Sequence, residues 1–168
     1  MTNSLSISTA RIQNISDIAS SYMQGDKTLL DAFMQSYYRS LHHDVADQIG
    51  DIDLAGMALH HFTLLKAYDS TKPQLKIFNP IAEEQHFHNS HTIIQMVAHD
   101  RPFLVDTLLM SLETQGINVH RTYNTIIEIK REDSGDISTI NRANESVTSH
   151  LSLIHCEIAY QDNDELAA

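Results

Sequence analysis

The chain has 168 residues, 42% hydrophobic and 20% charged, enough apolar material for a core and too much for wholesale disorder. Eleven Lys+Arg against 22 Asp+Glu give a net charge of −11, which argues against nucleic acid and against anionic membrane surfaces, since both need concentrated positive charge. No stretch approaches the ~20 apolar residues of a membrane span, MTNSLSISTARIQN carries no signal-peptide core, and a single cysteine, Cys156, excludes an internal disulfide and fits a reducing cytoplasm.

The first 72 residues read as helical. Ile12, Ile15, Ala19 and Tyr22 recur at helical spacing, with Gly25 as a stop. Leu30, Phe33, Met34, Tyr37, Leu41 and Val45 form one apolar stripe, which predicts a single helix capped by Asp26 and ended by Gly50. Ala55, Leu59 and Phe62, with Leu65 beside them, predict a third helix.

At Pro73 the pattern changes, and residues 73–168 read as a second unit. QLKIF, before Asn79-Pro80, predicts a short strand, and HTIIQMVA (91–98) a stronger one rich in β-branched residues. A helix is expected from Pro102 to about Gln115, with Pro102 at its first position, Asp100 as N-cap and Gly116 just past its end. In INVHRTYNTIIEIKRE, the shared parity of Ile117, Val119, Tyr123, Ile127 and Ile129 predicts one strand with these side chains on one face. Arg121 and Arg131 have the same parity, so each is expected near a strand end or past a bulge, with Arg121 pairing an acidic group across an interface. EDSGDISTINRANESVTS reads as a long polar loop turning at Asp133–Asp136, and LSLIHCEIAY as a last strand with Ile154, Cys156, Ile158 and Tyr160 on one side. The closing DNDELAA resembles the first turn of a further helix.

Strand–helix–strand–strand is the opening of a ferredoxin-like β-α-β-β-α-β fold. The fold class expected is therefore α+β: N-terminal helices over 1–72, then an incomplete ferredoxin-like domain over 73–168, cut at the start of its second helix. Such a sheet would lack its last strand and offer a free edge for pairing.

Chemistry-bearing motifs are sparse. The five glycines form no G-x-G-x-x-G turn and no phosphate loop, and there is no nucleophile elbow. Eleven histidines raise the question of metal, and His86, His88 and His91 in HFHNSH are the closest set; without a neighbouring cysteine or an H-E-x-x-H helix, no metal is assigned to them. Cys156 lies inside a strand pattern and reads as a buried, inert thiol. At HDRPFLVD two readings stay open. One is a well-made helix start, with Asp106 complementing the dipole; the other is a helix N-terminus facing a small anion such as an amino-acid carboxylate, with Asp106 near the ammonium.

HDRPFLVDTLLMSLETQGINV resembles the strand, turn and helix of ACT domains, small amino-acid-sensing modules whose turn commonly reads D-R-P-G-L-L with G-I-N after the helix. Asp100, Arg101, Pro102, Leu104, Gly116, Ile117 and Asn118 match that pattern. Phe103 stands where the family usually has a glycine, and it would obstruct approach to the backbone. A wider resemblance takes in LKIFNP, HTIIQMVAHDRPFLVDTLL, GINVH, IKREDSGDI and ESVTSHLSLIHCEIAY in this order. These segments are similar to the N-terminal region of the large NAD-specific glutamate dehydrogenases of bacteria, from about Asp51 to Tyr160, with Thr107 for the usual serine and Arg101 for a common methionine.

The resemblance implies a parent enzyme that oxidises L-glutamate to 2-oxoglutarate with NAD, its catalytic and nucleotide-binding parts lying far downstream. No catalytic residue and no cofactor are then assigned to this chain. Its implied role is a cytoplasmic regulatory and assembly module that contacts a second copy of itself and other domains of the same enzyme. An amino-acid effector would sit at Asp100, Arg101, Pro102, Phe103, Leu104 and Asp106. The alternatives are a structural oligomerisation module with no ligand and a small histidine-dependent metalloenzyme.

Overall fold

A computed structural model describes residues 5–141, 149–162, 164 and 166. Most of the expected closing helix turn, and the part of the polar loop over 142–148, lie outside the described residues. Four helices come first: α1 (Thr9–Ser20), α2 (Lys27–Tyr37), α3 (His43–Ile49) and α4 (Asp51–Ala67). They are followed by β1 (Gln74–Phe78), the short α5 (Ala82–Gln85), β2 (Thr92–His99), α6 (Leu104–Thr114), β3 (Val119–Arg131), β4 (Ile137–Ile140) and β5 (Ser149–Ile158).

Local chemistry explains the helix boundaries. Ser8 caps α1, accepting from the Arg11 N–H, and Asp26 caps α2 as expected, accepting from Leu29 N–H at 3.1 Å. Tyr22 falls beyond the end of α1 and stacks on His86 instead. The single helix expected over 26–50 is two. Between them the backbone of Leu41 and His43 is hydrogen-bonded to Ile7 and Leu5, and Ser6 bridges to His42. Those bonds claim groups a continuous helix would need. Gly50, at φ 90°, then turns the chain from α3 into α4.

The strands form one antiparallel sheet of order β1-β2-β5-β3-β4. The edge beside β2 is not free, contrary to the sequence-based expectation. β1 pairs with β2 from Gln74↔Val97 to Phe78↔Ile93, in the place a ferredoxin-like sheet gives to its last strand. Part of the expected polar loop is also structured: the chain turns through Glu132–Asp136 and returns as β4.

Alternation along the central strands separates two layers. Ile93, Val97, Leu151 and Leu153 join the core built by α1–α4, whereas Ile94, Cys156 and Ile158 pack with Leu112 of α6 on the other face. Cys156 is buried as expected, and burial pushes its thiol pKa up. The strand β3 departs from the expected parity. A bulge at His120, between the pairs Val119↔Ile158 and Arg121↔Glu157, puts Ile117 and Val119 on the α6 side and Tyr123, Ile127 and Ile129 on the α1–α4 side. Arg131 also lies at a register shift, and its guanidinium donates to the carbonyls of Gly135 and Leu65.

Helix α4 is buried nearly all round, because α1 and α2 cover it on one side and the sheet on the other. Gly56 is required there: a Cβ would stand 2.4 Å from the His86 carbonyl oxygen. His61, on the same helix, is fully enclosed. Tyr37 donates its hydroxyl to His61 Nδ1 at 2.8 Å, and His61 Nε2 donates to the Met96 carbonyl at 3.1 Å. Burial pushes the His61 pKa down to about 3.

The unfolded chain therefore binds a proton at this position well before the folded one does. Stability contributed by neutral His61 is complete above about pH 6.5 and falls as pH drops below it, by roughly 1.4 kcal/mol per unit. Urea denaturation at pH 7 and pH 5 should show a loss on the order of 2 kcal/mol from this group. His61→Gln should be less stable at pH 7 yet have a shallower pH dependence; an unchanged slope would refute the assignment.

Candidate functional site

The turn expected to hold an effector lies at one end of the sheet, where β2 passes into α6. Asp100, Arg101, Pro102, Phe103 and Asp106 are all exposed there, and Leu104 is half-buried. Asp100 is not the N-cap and Pro102 is not the first helical residue. The Asp100 N–H still donates to the His150 carbonyl at 2.9 Å, so the backbone remains tied to β5, and α6 begins only at Leu104. The capping position falls to Phe103, whose side chain offers no acceptor and whose backbone is left-handed at φ 63° and ψ 14°. Its ring is 75% exposed, so no burial compensates the strain. The far end of α6 is as expected. Gly116, at φ 73°, donates to Glu113 O and Ile117 to Leu112 O, closing a Schellman motif.

The opposite end of the sheet carries a second arrangement. A cavity of about 210 Å³ opens between the helical layer and the sheet, with an apolar wall of Leu41, Val45, Ile49 and Met57 and polar groups from Arg121, His155 and Glu157. Glu157 is 2% exposed and His155 1%. Arg121 Nη1 lies 3.5 Å from Glu157 Oε1, and its Nη2 donates to Gln48 at 3.3 Å. The acidic partner of Arg121 is thus on a neighbouring strand of its own chain. His155 Nε2 is 3.7 Å from the same Glu157 oxygen and has no hydrogen-bond partner.

Tautomers follow from the partners. Gln95 accepts from His60 Nδ1 at 2.6 Å, and its amide donates to the Met57 carbonyl at 3.0 Å and to His155 Nδ1 at 3.2 Å. His155 therefore carries its proton on Nε2, facing the Glu157 carboxylate. Burial pushes the Glu157 pKa up, but His155 and the charges of Arg121 and His120 more than offset it, so the carboxyl sits below its ordinary value. At neutral pH the site presents an anion, a guanidinium and an imidazole N–H around apolar walls. That set can hold a small polar group or a cation.

The histidines of HFHNSH are not brought together. His86 is stacked on Tyr22, the His88 backbone is held by Asp53, and His91 stacks on His120 with centroids 4.1 Å apart. Among the described residues, His91, His120 and Glu157 form one group able to converge on a point, and His42, His43 and Asp44 another. Sequence reasoning missed Glu157 and His155. The available signal was HCE, two polar side chains of one parity inside an otherwise apolar strand.

The family described as glutamate dehydrogenase, ACT1 domain, matches residues 33–168. The chain is 28% identical over 118 residues, 69% of its length, to the NAD-specific glutamate dehydrogenase of Pseudomonas aeruginosa. It is 28% identical over 137 residues, 80% of its length, to the protein of the same name from Halomonas elongata. It spans 7% and 8% of the lengths of these relatives. No solved structure matches it.

The left-handed backbone at Phe103 costs about 1–2 kcal/mol for a residue with a Cβ. Phe103→Gly should relieve that cost, offset in part by the extra freedom glycine gives the unfolded chain. Thermal and urea denaturation should show Phe103→Gly more stable than the parent by ~0.5 kcal/mol, and Phe103→Ala, which keeps a Cβ, no more stable. Equal behaviour of the two variants would refute the strain.

Proposed function

This chain belongs to the glutamate dehydrogenase ACT1 domain family, and on that premise we propose that it is the N-terminal regulatory and assembly domain of a large NAD-dependent glutamate dehydrogenase. The parent reaction takes L-glutamate, NAD and water to 2-oxoglutarate, ammonia and NADH in the cytoplasm. NAD and the reacting groups belong to other parts of that enzyme, and this chain contributes contacts. Among the described residues, no helix is long and apolar enough to cross a membrane.

The observation that carries the reading is the unequal covering of the sheet. The α1–α4 layer covers one face. On the other, α6 covers only the middle: Leu75 and Ile77 of β1 pair with Met96 and Ile94 and stay 42% and 44% exposed, and Met110 on α6 is 66% exposed. Exposed apolar groups gathered on one face mark an interaction surface. The remaining 92–93% of a polypeptide as long as the relatives supplies the occupant of this surface. Self-association through the same face is the competing outcome.

Replacing Leu75 and Ile77 together by glutamate leaves the described core intact, because both are surface residues. In the full-length enzyme the double variant should shift native mass and sedimentation toward smaller or looser assemblies, while the isolated chain keeps its melting temperature. Unchanged assembly would count against the reading. If the isolated chain is a dimer that the variant dissociates, the partner is a second copy.

A second function is supported by the uncapped start of α6. Its first turn has no side-chain acceptor, which leaves backbone N–H groups for a carboxylate. An amino-acid effector held at Asp100–Leu104, with Asp106 toward its ammonium, should bind with a dissociation constant below ~1 mM in calorimetry with a panel of amino acids. Binding should weaken in Asp106→Asn and tighten in Phe103→Gly. If no amino acid binds, the domain is structural only.

A further inference from the structure

We infer that His91, His120 and Glu157 form a binding site for one divalent transition-metal ion of the zinc type. The three ligands come from three places that the fold draws together: the residue before β2, the bulge of β3 and the end of β5. Their ligand atoms all lie within 4.8 Å of one another. Tetrahedral zinc with bonds of about 2.0–2.1 Å needs ligands roughly 3.4 Å apart with their lone pairs aimed at one point, so on binding His120, which is exposed, turns out of its stack on His91, where the rings lie 12° from parallel.

Several independent features suit a metal. His91 Nδ1 lies 3.0 Å from Asn89 Oδ1, and the Asn89 oxygen also accepts from the His91 backbone N–H at 2.9 Å. Donation from Nδ1 to a fixed oxygen is the outer-sphere arrangement that orients a metal-binding imidazole and leaves the Nε2 lone pair free. Among the described residues, neither His91 Nε2 nor a ring nitrogen of His120 has a hydrogen-bond partner. The Glu157 contacts to Arg121 and His155 both go to Oε1, at 3.5 and 3.7 Å. Both are longer than the ~2.7–2.9 Å of a charge-assisted hydrogen bond, so the carboxylate is not saturated. Two imidazoles and one carboxylate are a donor set that zinc accepts, with water in the remaining position.

The bulge strengthens the assignment. His120 is the extra residue in β3, with no partner across the ladder, and a bulge, which bends its strand locally, re-aims a side chain. Bound metal would tie the starts of β2 and β3 to the end of β5, beside the cavity lined by Arg121 and His155.

The test uses the full chain, stripped with a chelator, at pH 7.5. Zinc ion is titrated in calorimetry, and cobalt(II) is followed by its visible absorption. One ion per chain should bind with a micromolar or tighter dissociation constant, and saturating zinc should raise the melting temperature. His120→Ala, at an exposed position, and His91→Ala should each weaken binding at least about tenfold and abolish the cobalt spectrum. His43→Ala, in the exposed His42–His43–Asp44 group, should change nothing. The inference is overturned if zinc binds no tighter than ~100 µM, if His120→Ala binds as the parent does, or if His43→Ala alone removes the ion.

Discussion

The seating of α4 on strand β2 is the constraint from which the rest of this structure follows. The helix is buried on almost every side, and polar groups join its apolar ones in binding it to the sheet. His61 spans Tyr37 and the Met96 carbonyl, and Gln95 reaches up to the Met57 carbonyl while holding His60 and His155. Each bond satisfies a group that would cost about 1–3 kcal/mol if left unpaired in the interior. The network therefore fixes register as well as adhesion: sliding α4 by one turn would orphan most of these groups at once. On another side of the helix Gly56 lets the end of α5 pack close, since only a hydrogen there lets the His86 carbonyl approach.

That seating has a consequence for function. With α1–α4 and the sheet sharing a single apolar core, the face that a small ferredoxin-like domain would leave open is occupied from within the chain. The surfaces left for ligands and partners are the two ends of the sheet and the margins of α6. The β2–α6 turn takes one end, and the Arg121–His155–Glu157 cavity takes the other. They are separated by the full length of β2 and β5, whose pairing runs from Thr92↔Ile158 to His99↔Leu151.

Much of this was legible in the sequence, and the reasons are specific. HTIIQMVA and LSLIHCEIAY have enough β-branched and apolar residues to be strands in any context, and Gly116 could only end a helix. The PFLVD turn carried the family. What escaped depended on contacts distant in the chain. Nothing local to residues 38–42 announces that residues 5–7 will capture their backbone and split a helix. Nothing in QLKIF says that this strand will pair with β2 at the position a ferredoxin-like sheet gives to its last strand. Helix α6 starts two residues later than Pro102 and Asp100, both good capping chemistry, suggest, because the hydrogen bond from the Asp100 N–H to the His150 carbonyl keeps the backbone on the sheet. The polar groups at the other end were hidden by parity. Glu157 and His155 read as interruptions of a strand until Arg121 and Gln95 are seen against them.

Parity itself turns on one residue. Before the bulge, Val119 faces α6; after it, Arg121, Tyr123, Ile127 and Ile129 face the helical layer. Were His120 instead paired as an ordinary ladder residue, a strand in register with β5 through Val119↔Ile158 would turn Arg121 and Tyr123 to the α6 side and direct Thr122 and Asn124 into the core, because side chains alternate with a period of two. Tyr123 could no longer donate to the Tyr37 carbonyl, and Glu157 would keep its burial but lose its guanidinium. An unpaired buried charge is among the costliest defects a core can carry. The bulge is thus what makes a two-sided strand compatible with a sheet whose faces serve different layers. It also places His120 at the rim beside Glu157, so the same single-residue insertion that sorts the core assembles the polar end of the sheet.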